Sequence, residues 1–165
     1  MSTFKGYINT ELETINEFDS KIEPIKVYKI INDGYSPYDC MFVSAGTFNG
    51  YYKENLYGVC EVKTRDVSSI TYLEGPMIEI QKLFSICEKV SQLRDELKHI
   101  NKTINGFYLV KYTDKTYLFN LDRVNLGQVQ YEKCPKNTAK NGNNNYKTKP
   151  VLYLKYEDAV LVYNN

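Results

Sequence analysis

Apolar residues recur along the chain with two different periods, and each period predicts its own kind of element. A helical spacing over 10–21 predicts a first helix, for which Thr10 is a candidate N-cap and Glu13 can complete a capping box. Runs of β-branched and aromatic residues then predict strands over 26–31, 38–44 and 57–64. The first part of the chain is therefore expected to have the order helix, strand, strand, strand.

A second helix is predicted over 76–98, after a polar loop over 64–75. Pro76 fits the first turn of a helix, and a broad apolar stripe that includes Phe84 and Cys87 is typical of core packing. A strand hairpin is predicted over 107–112 and 117–121, and strand-like sequence returns over 151–163. No internal repeat or domain boundary is evident, so residues 1–165 are expected to form one domain.

The segment 135–150 is rich in asparagine, lysine and glycine and is predicted to be a flexible basic loop. From Glu132 to Lys149 there are five lysines and one acidic residue, whereas the first 24 residues contain five acidic residues and two lysines. The whole chain carries a net charge of only +1, which excludes binding by bulk positive charge. Any binding of nucleic acid must therefore depend on local patches.

Composition excludes several other classes of protein. Hydrophobic residues at 42% and charged residues at 25% are typical of a soluble globular domain. Without a long apolar run or a signal peptide, the chain is expected in the cytoplasm of a bacterium or a phage-infected cell, with no membrane partner. His99 is the only histidine, so sites built from several imidazoles are excluded, and no glycine-rich phosphate loop is present.

One group of charged residues survives these exclusions. Asp39 begins the second predicted strand, and Glu61 and Lys63 lie two residues apart on the third, so their side chains point to one face. If the two strands pair, the two carboxylates converge with Lys63 beside them. Carboxylate oxygens and the backbone carbonyl of Val62 would suit Mg²⁺ or Mn²⁺. An ammonium next to a metal-bound water or a phosphate is chemistry for hydrolysing a phosphodiester.

The Glu-x-Lys spacing is weak evidence by itself. Glu96 and Lys98 repeat the spacing on a predicted helix, where side chains two residues apart diverge by about 200° and cannot share a metal. The alternative for Glu61 and Lys63 is a solvated charge pair on an exposed strand. In a further alternative the chain is a small α+β interaction protein, in which the carboxylates of Asp39 and Glu61 lie far apart.

The order of elements and the placement of these residues resemble the PD-(D/E)XK nuclease superfamily, in particular its small phage and mobile-element members. The resemblance covers roughly residues 9–121. It implies an α+β (α/β) restriction-endonuclease-like core, in which helices flank a central mixed β-sheet. The implied order is α-β-β-β-α-β with extra C-terminal strands. Tyr38 separates Pro37 from Asp39, a departure from the adjacency that the family name implies.

Under this resemblance Asp39 and Glu61 are metal ligands and Lys63 is the catalytic lysine. The implied function is a Mg²⁺-dependent nuclease that hydrolyses phosphodiester bonds of nucleic acid, with DNA as the expected substrate. The alternative is a catalytically inactive protein of the same fold that binds nucleic acid or a protein partner. The sequence leaves open DNA against RNA, endonuclease against exonuclease, and monomer against homodimer.

Helix residues complete the implied site. An acidic residue is expected from the first helix, and Glu13 is our choice, with Glu11 and Glu17 as alternatives. Polar residues are also expected from the second helix, namely Glu79, Gln81 and Lys82. For each of these residues, a solvated helix face is the alternative interpretation.

Several cations are candidate contacts for phosphates. Lys53, Arg65 and Lys82 are expected near the cleft, and Lys136, Lys140 and Lys147 belong to the predicted basic loop. Tyr146 offers a surface for base stacking. The alternative is that the loop is merely solvated.

Overall fold

The structure, a computed structural model, describes residues 3–31, 36, 38–46, 56–100, 102–124, 128–135 and 146–165. Two helices lie in these ranges, α1 (Thr3–Lys21) and α2 (Ile80–Glu96). The strands of the first half are β1 (Ile25–Ile30), β2 (Cys40–Ser44), β3 (Leu56–Thr64) and β4 (Met77–Glu79). The later strands are β5 (Thr103–Lys111), β6 (Lys115–Asn120), β7 (Gln130–Pro135), β8 (Tyr146–Tyr153) and β9 (Ala159–Asn164).

Two sheets are formed by these strands. The larger has the order β1-β2-β3-β5-β6-β9 and is mixed, because β3 and β5 are parallel while the other neighbours are antiparallel. The parallel pair requires a crossover, and α2 lies in that connection. The smaller sheet has the antiparallel order β4-β8-β7.

A separate core covers each face of the larger sheet. On one face, Ile15 and Phe18 of α1 pack on a cluster that contains Phe42 and Val62. On the other face, α2 and the smaller sheet share a second cluster, with Ile86, Val90 and Leu152 among its members. Apolar side chains of the central strands therefore alternate between two cores, as a sheet covered on both faces requires.

Close packing is visible where β2 and β3 meet beneath α1. The ring of Phe42 lies edge-on to Phe18, with centroids 5.5 Å apart, and 5.0 Å from the ring of Phe107. A Cβ atom at Gly58 would lie only 2.2 Å from carbons of the Phe42 ring. A glycine at this position therefore lets the ring cross the strand.

The predicted fold class is confirmed. The chain forms a mixed α+β structure, with a central mixed sheet flanked by helices and strands added after the core. The predicted order α-β-β-β-α-β is present, with the short strand β4 inserted before α2. Neither helix within the described ranges is long and apolar enough to cross a membrane.

Both predicted helix starts were wrong. Helix α1 begins at Thr3, so Thr10 lies inside the helix and is not its N-cap. The carbonyl of Thr10 accepts a hydrogen bond from the Thr14 hydroxyl at 2.9 Å. Helix α2 begins at Ile80, because Met77–Glu79 pairs with β8 and the Pro76 carbonyl accepts the Leu154 amide at 2.9 Å. Phe84 and Cys87 of α2 are exposed, so they lie outside the core that was expected for them.

The predicted flexible loop over 135–150 was too long. Residues 146–150 belong to β8 and pair with β7, where Glu132 lies opposite Lys149 and Cys134 opposite Lys147. Cross-strand pairing with β7 outweighs the polar composition there. Residues 136–145 lie outside the described ranges.

A hydrogen-bonded aspartate attaches the segment after β3 to the β5–β6 turn. Asp114 accepts the Ser69 amide at 2.6 Å and the Ser69 hydroxyl at 2.7 Å. These bonds, from the side chain and then the backbone of Ser69, lower the pKa of Asp114 to about 2. An acid whose folded-state pKa is lowered stabilises the protein above its unfolded-state pKa and loses this effect as the pH falls towards the folded value.

We therefore expect Asp114→Asn to lower the free energy of unfolding at pH 7, because the neutral amide accepts weaker hydrogen bonds. The loss should shrink as the pH falls from about 4 towards 2, where the native carboxylate is itself protonated. Urea unfolding at a series of pH values measures this difference. Asp66→Asn, at an exposed carboxylate, is the control. An equal loss at pH 7 and pH 2 would contradict the assignment.

Candidate functional site

The pairing of β2 with β3 brings Asp39 next to Glu61. Cys40 lies opposite Cys60, so the residues just outside this pair, Asp39 and Glu61, face each other across the two strands. The Asp39 amide donates to the Cys60 carbonyl at 2.9 Å, and the Asp39 carboxylate accepts the Val62 amide at 2.7 Å. The backbone therefore holds Asp39 from both sides.

Glu61 is a buried carboxylate at the centre of this group, with only 7% of its surface exposed. Its Oε2 atom lies 2.9 Å from Lys82 Nζ, but this buried oxygen receives no hydrogen bond of ordinary geometry. Burial, and then the charge of Asp39, raise the pKa of Glu61 well above its usual range, against the opposing effect of Lys82. Glu61 therefore depends on the Lys82 ammonium as the counter-charge for a buried carboxylate that lies beside Asp39.

Lys82 reaches this carboxylate from the first turn of α2. Besides Glu61, its ammonium donates to the carbonyl of Ser36 at 3.4 Å, in the segment before β2. Partial burial lowers the pKa of Lys82, but Glu61, Asp39 and Glu11 raise it by more, and the net shift is upward. The ammonium is therefore held by oxygen atoms from β3 and from the segment before β2.

Lys63 lies beside the same group and is held more loosely. Its Nζ is 3.8 Å from Glu11 Oε1, and both side chains are about one quarter exposed, at 25% and 27%. Burial and then the Asp39 charge raise the pKa of Glu11, while Lys63 and Lys82 act in the opposite direction. Helix α1 is anchored here by the hydroxyls of Thr14 and Thr64, which lie 3.0 Å apart.

The donor chemistry of the group fits a small divalent cation. Its three carboxylates, from Glu11, Asp39 and Glu61, exceed its two ammonium groups, from Lys63 and Lys82, by one formal charge. Mg²⁺ is commonly bound by one or two carboxylates, with water and substrate phosphate completing its shell. The buried carboxylate of Glu61, which has Lys82 as its counter-charge, is one that such a cation could bind. No group of three or more acidic, cysteine or histidine side chains is arranged as a metal site in the described part of the chain.

Three predicted site residues do not join this group. Glu13 is exposed, and the period of the helix turns it about 200° away from Glu11, which takes the expected place. Glu79 precedes α2 with extended backbone and pairs with Lys149, at 2.8 and 2.9 Å, so its expected helical spacing from Lys82 does not apply. Gln81 is exposed at the start of α2.

The predicted phosphate contacts are spread over several places. Arg65 follows β3 and lies over the ring of Tyr72, 5.7 Å from its centroid, and it lowers the pKa of Tyr108 against the larger raising effect of burial. Lys147 is exposed on β8. Lys82 is itself one of the charged residues of the candidate site, in contact with Glu61. The remaining three lie outside the described residues, namely Lys53, Lys136 and Lys140.

Two alternative interpretations are inconsistent with this geometry. The carboxylates of Asp39 and Glu61 are neighbours, so the prediction that they lie far apart is wrong. Glu61 is buried, so it is not part of a solvated strand face. The backbone carbonyl of Val62 stays a predicted ligand; the contact in the structure is through its amide.

Sequence reasoning ranked Glu11 too low and missed Ser36. The signal for Glu11 was its spacing from buried residues, since Ile15 and Phe18 lie four and seven positions later on the same helix face. No sequence signal identified Ser36, because it contributes a backbone carbonyl and any residue carries one.

A cavity of about 460 Å³ lies elsewhere, between the turn after β6 and the link from β8 to β9. Asn120, Arg123 and Asp158 are among its lining residues. None of the five charged residues of the candidate site lines this cavity, so the site is not part of it.

Comparison with solved structures adds a similarity of fold. The structure is similar to that of Hjc, a Holliday junction resolvase from the archaeal hyperthermophile Archaeoglobus fulgidus, with a TM-score of 0.48 and 8% sequence identity. The similarity covers 91% of this chain and 89% of that chain. No protein-family model matches the chain, and no curated protein matches it either. At this identity no residue-by-residue correspondence follows, so the roles below depend on this chain's own contacts.

We expect Lys82→Met to lower the free energy of unfolding by about 1–3 kcal/mol in the absence of metal, because Glu61 is then buried without its cation. Adding Glu61→Gln to this variant should recover most of the loss, since the buried charge is gone. Urea unfolding of the two single variants and the double variant measures the coupling. Gln81→Ala, at the exposed neighbour on the same helix, should change stability by less than about 0.5 kcal/mol. Equal losses for Lys82→Met and Gln81→Ala would contradict the pairing.

Proposed function

We propose that this protein is a nuclease that hydrolyses phosphodiester bonds of nucleic acid with the help of Mg²⁺ or Mn²⁺. The observation that carries the proposal is the buried carboxylate of Glu61 beside Asp39 on paired strands, in a group where three carboxylates accompany two ammonium groups. Burying a second carboxylate beside a first destabilises a protein, and a divalent cation is the partner that removes this cost. The element order and the Glu-x-Lys strand add the resemblance to the PD-(D/E)XK superfamily.

Each residue of the site has a distinct task under this proposal. A bound Mg²⁺ would supply a Lewis acid and an activated water at the scissile phosphate. Asp39 and Glu61 hold the cation, and the backbone bonds of Asp39 keep its carboxylate in place. Glu11 adds negative charge from α1 and orients Lys63.

Lys63 is the group proposed to contact the reacting phosphate. Its 3.8 Å separation from Glu11 is longer than a strong hydrogen-bonded ion pair, and a quarter of its side chain is exposed. It can therefore turn towards a substrate without leaving a buried partner behind. A positive charge there stabilises the negative charge that develops on the phosphate oxygens in the transition state.

The β7–β8 hairpin offers a surface for the substrate. Strand alternation and register place Tyr131 and Lys133 of β7 on the same face as Tyr146 and Thr148 of β8. This face is solvent-exposed, with Tyr131 73% and Tyr146 60% accessible. Exposed aromatic rings beside a lysine suit nucleic acid, because bases stack on the rings and phosphates pair with the ammonium.

The hairpin is attached to the fold near the charged residues of the candidate site. Strand β8 pairs with β4, and Lys149 on β8 holds Glu79 through both carboxylate oxygens. Glu79 lies three residues before Lys82, which contacts Glu61. The hairpin is therefore joined to the start of α2 near the proposed metal site, with its aromatic face on the side away from Lys149.

A second candidate function is binding of nucleic acid without cleavage. The observation that favours it is the pairing of Lys82 with Glu61, together with the lack of a three-ligand cluster among the described residues. In such a protein the lysine would replace the metal permanently. Titration calorimetry with Mg²⁺ separates the two functions, because only the nuclease binds the ion.

Other parts of the sequence interpretation stay predictions. The prediction that the substrate is DNA follows only from the resemblance to the PD-(D/E)XK superfamily. Cleavage assays with matched DNA and RNA oligonucleotides decide between the two substrates. The homodimer and the likeness to phage and mobile-element members are likewise predictions.

We expect Lys63→Ala to abolish Mg²⁺-dependent cleavage of DNA while leaving the fold intact, because its partly exposed side chain contributes little to the core. Loss of one group that stabilises transition-state charge lowers the rate by about a hundredfold or more. Gel assays of nicking, with circular dichroism as the test of folding, measure both effects.

Lys98→Ala is the matched control, because Glu96 and Lys98 repeat the spacing at the exposed end of α2. This variant should cleave like the wild type. Full nicking activity of a folded Lys63→Ala protein would overturn the proposed role of Lys63.

The hairpin surface has its own prediction. Lys133→Ala should weaken DNA binding and reduce the slope of log affinity against log salt by about one, because one phosphate contact is lost. Tyr131→Ala should weaken binding by about 1–3 kcal/mol with the slope unchanged, because stacking releases no counterions. Fluorescence anisotropy at several salt concentrations measures both quantities. Lys115→Ala, an exposed lysine on β6, is the control, and an equal effect from it would contradict the hairpin assignment.

A further inference from the structure

Lys82 contacts two oxygen atoms and lies near two further carboxylates. Its Nζ lies 2.9 Å from Glu61 Oε2 and 3.4 Å from the carbonyl of Ser36. The carboxylates of Asp39 and Glu11 also act on its charge. These oxygens come from α1, β3 and the segment before β2, so the ammonium lies where the three elements converge.

A divalent metal bound to Glu61 would be a close neighbour of the Lys82 ammonium, which already contacts one of the two carboxylate oxygens. Mg²⁺ binds carboxylate oxygens at 2.0–2.1 Å and demands nearly octahedral geometry. With the ammonium 2.9 Å from Glu61 Oε2, metal and ammonium would be neighbouring positive charges on one buried carboxylate. Their repulsion would be stronger than in bulk water because Glu61 is buried, while 35% of the Lys82 side chain is exposed and can move towards solvent.

We propose that the Lys82 ammonium serves as the cation of the site in the absence of metal, beside the carboxylate of Glu61. A divalent ion then binds Glu61 only by displacing Lys82. This inference rests on the proposed metal-dependent function and adds regulation to the same site. The ammonium lowers the affinity for metal and keeps the two carboxylates together until metal arrives.

Lys63 provides an internal comparison. Both lysines are at the site and carry the same charge, but Lys63 is paired with Glu11 and Lys82 with Glu61. Removing either charge raises the negative potential of the site, whereas only removing Lys82 vacates the oxygen that the metal needs. The difference between the two variants therefore isolates displacement from general electrostatics.

Magnesium calorimetry on the wild type, Lys82→Met and Lys63→Met, without nucleic acid, tests the inference. Methionine keeps a side chain of similar length without the charge. Lys82→Met should bind Mg²⁺ at least about tenfold more tightly than the wild type, which corresponds to about 1.4 kcal/mol. Lys63→Met should increase the affinity by clearly less.

A measurement on the wild-type protein follows the displaced lysine directly. Brief acetylation, followed by mass spectrometry of peptides, reports how accessible each amine is. Lys82 should be protected relative to the exposed Lys115 without metal, and should become more reactive when Mg²⁺ is added. Lys115 should be unaffected. Because this test needs no variant, it decides the inference even if Lys82→Met fails to fold.

The possible outcomes separate the inference from the function. If the wild type and Lys82→Met bind Mg²⁺ with equal affinity, or if saturating Mg²⁺ leaves Lys82 protected, the displacement is overturned and the metal-dependent function stands. If neither protein binds Mg²⁺, the proposed function fails and the inference with it. Binding by Lys82→Met alone would mean that Mg²⁺ does not displace the lysine in the wild type, which overturns the displacement and favours binding of nucleic acid without cleavage.

Discussion

The antiparallel pairing of β2 with β3 is the interaction on which the candidate site depends. Its register places Cys40 opposite Cys60, and the pairing extends one residue further, where Asp39 donates its amide to the Cys60 carbonyl. A shift of one residue would send Glu61 to the opposite face, beneath α1, and would move Asp39 away from the Val62 amide. The close fit of Phe42 over Gly58 in the same two strands opposes such a shift.

Glu61 has an energetic cost that its surroundings only partly offset. The side chain is buried beside a second carboxylate, and its Oε2 has a nearby ammonium but no well-directed hydrogen bond. Two well-packed cores on the faces of the same sheet provide the stability that can carry this cost. Charges held in an unfavourable arrangement by a rigid scaffold are common at functional sites, because the reaction or the ligand relieves them.

Local pattern was enough to predict most of the fold, and long-range pairing explains what it missed. The strands of the larger sheet carry strong β propensity, so their positions along the chain were predictable from short stretches of sequence. Strand β4 has three residues, and its partner lies near the end of the chain, where Met77 pairs with Tyr153. Pro76 before it is equally compatible with a helix start. At the site, Asp39 and Glu61 followed from strand pairing, but the choice between Glu11 and Glu13 needed the true helix phase.

The charge balance of the site connects its stability to its function. Five charged groups share one end of the sheet, and acidic groups exceed basic ones by a single charge, so a divalent ion in place of one ammonium would balance the three carboxylates. Adding a divalent ion while Lys82 stays would leave an excess of positive charge in a partly buried place. A phosphate of the substrate carries the negative charge that a displaced Lys82 requires. Metal and nucleic acid should therefore favour each other's binding, because each offers a partner to a group that the other releases.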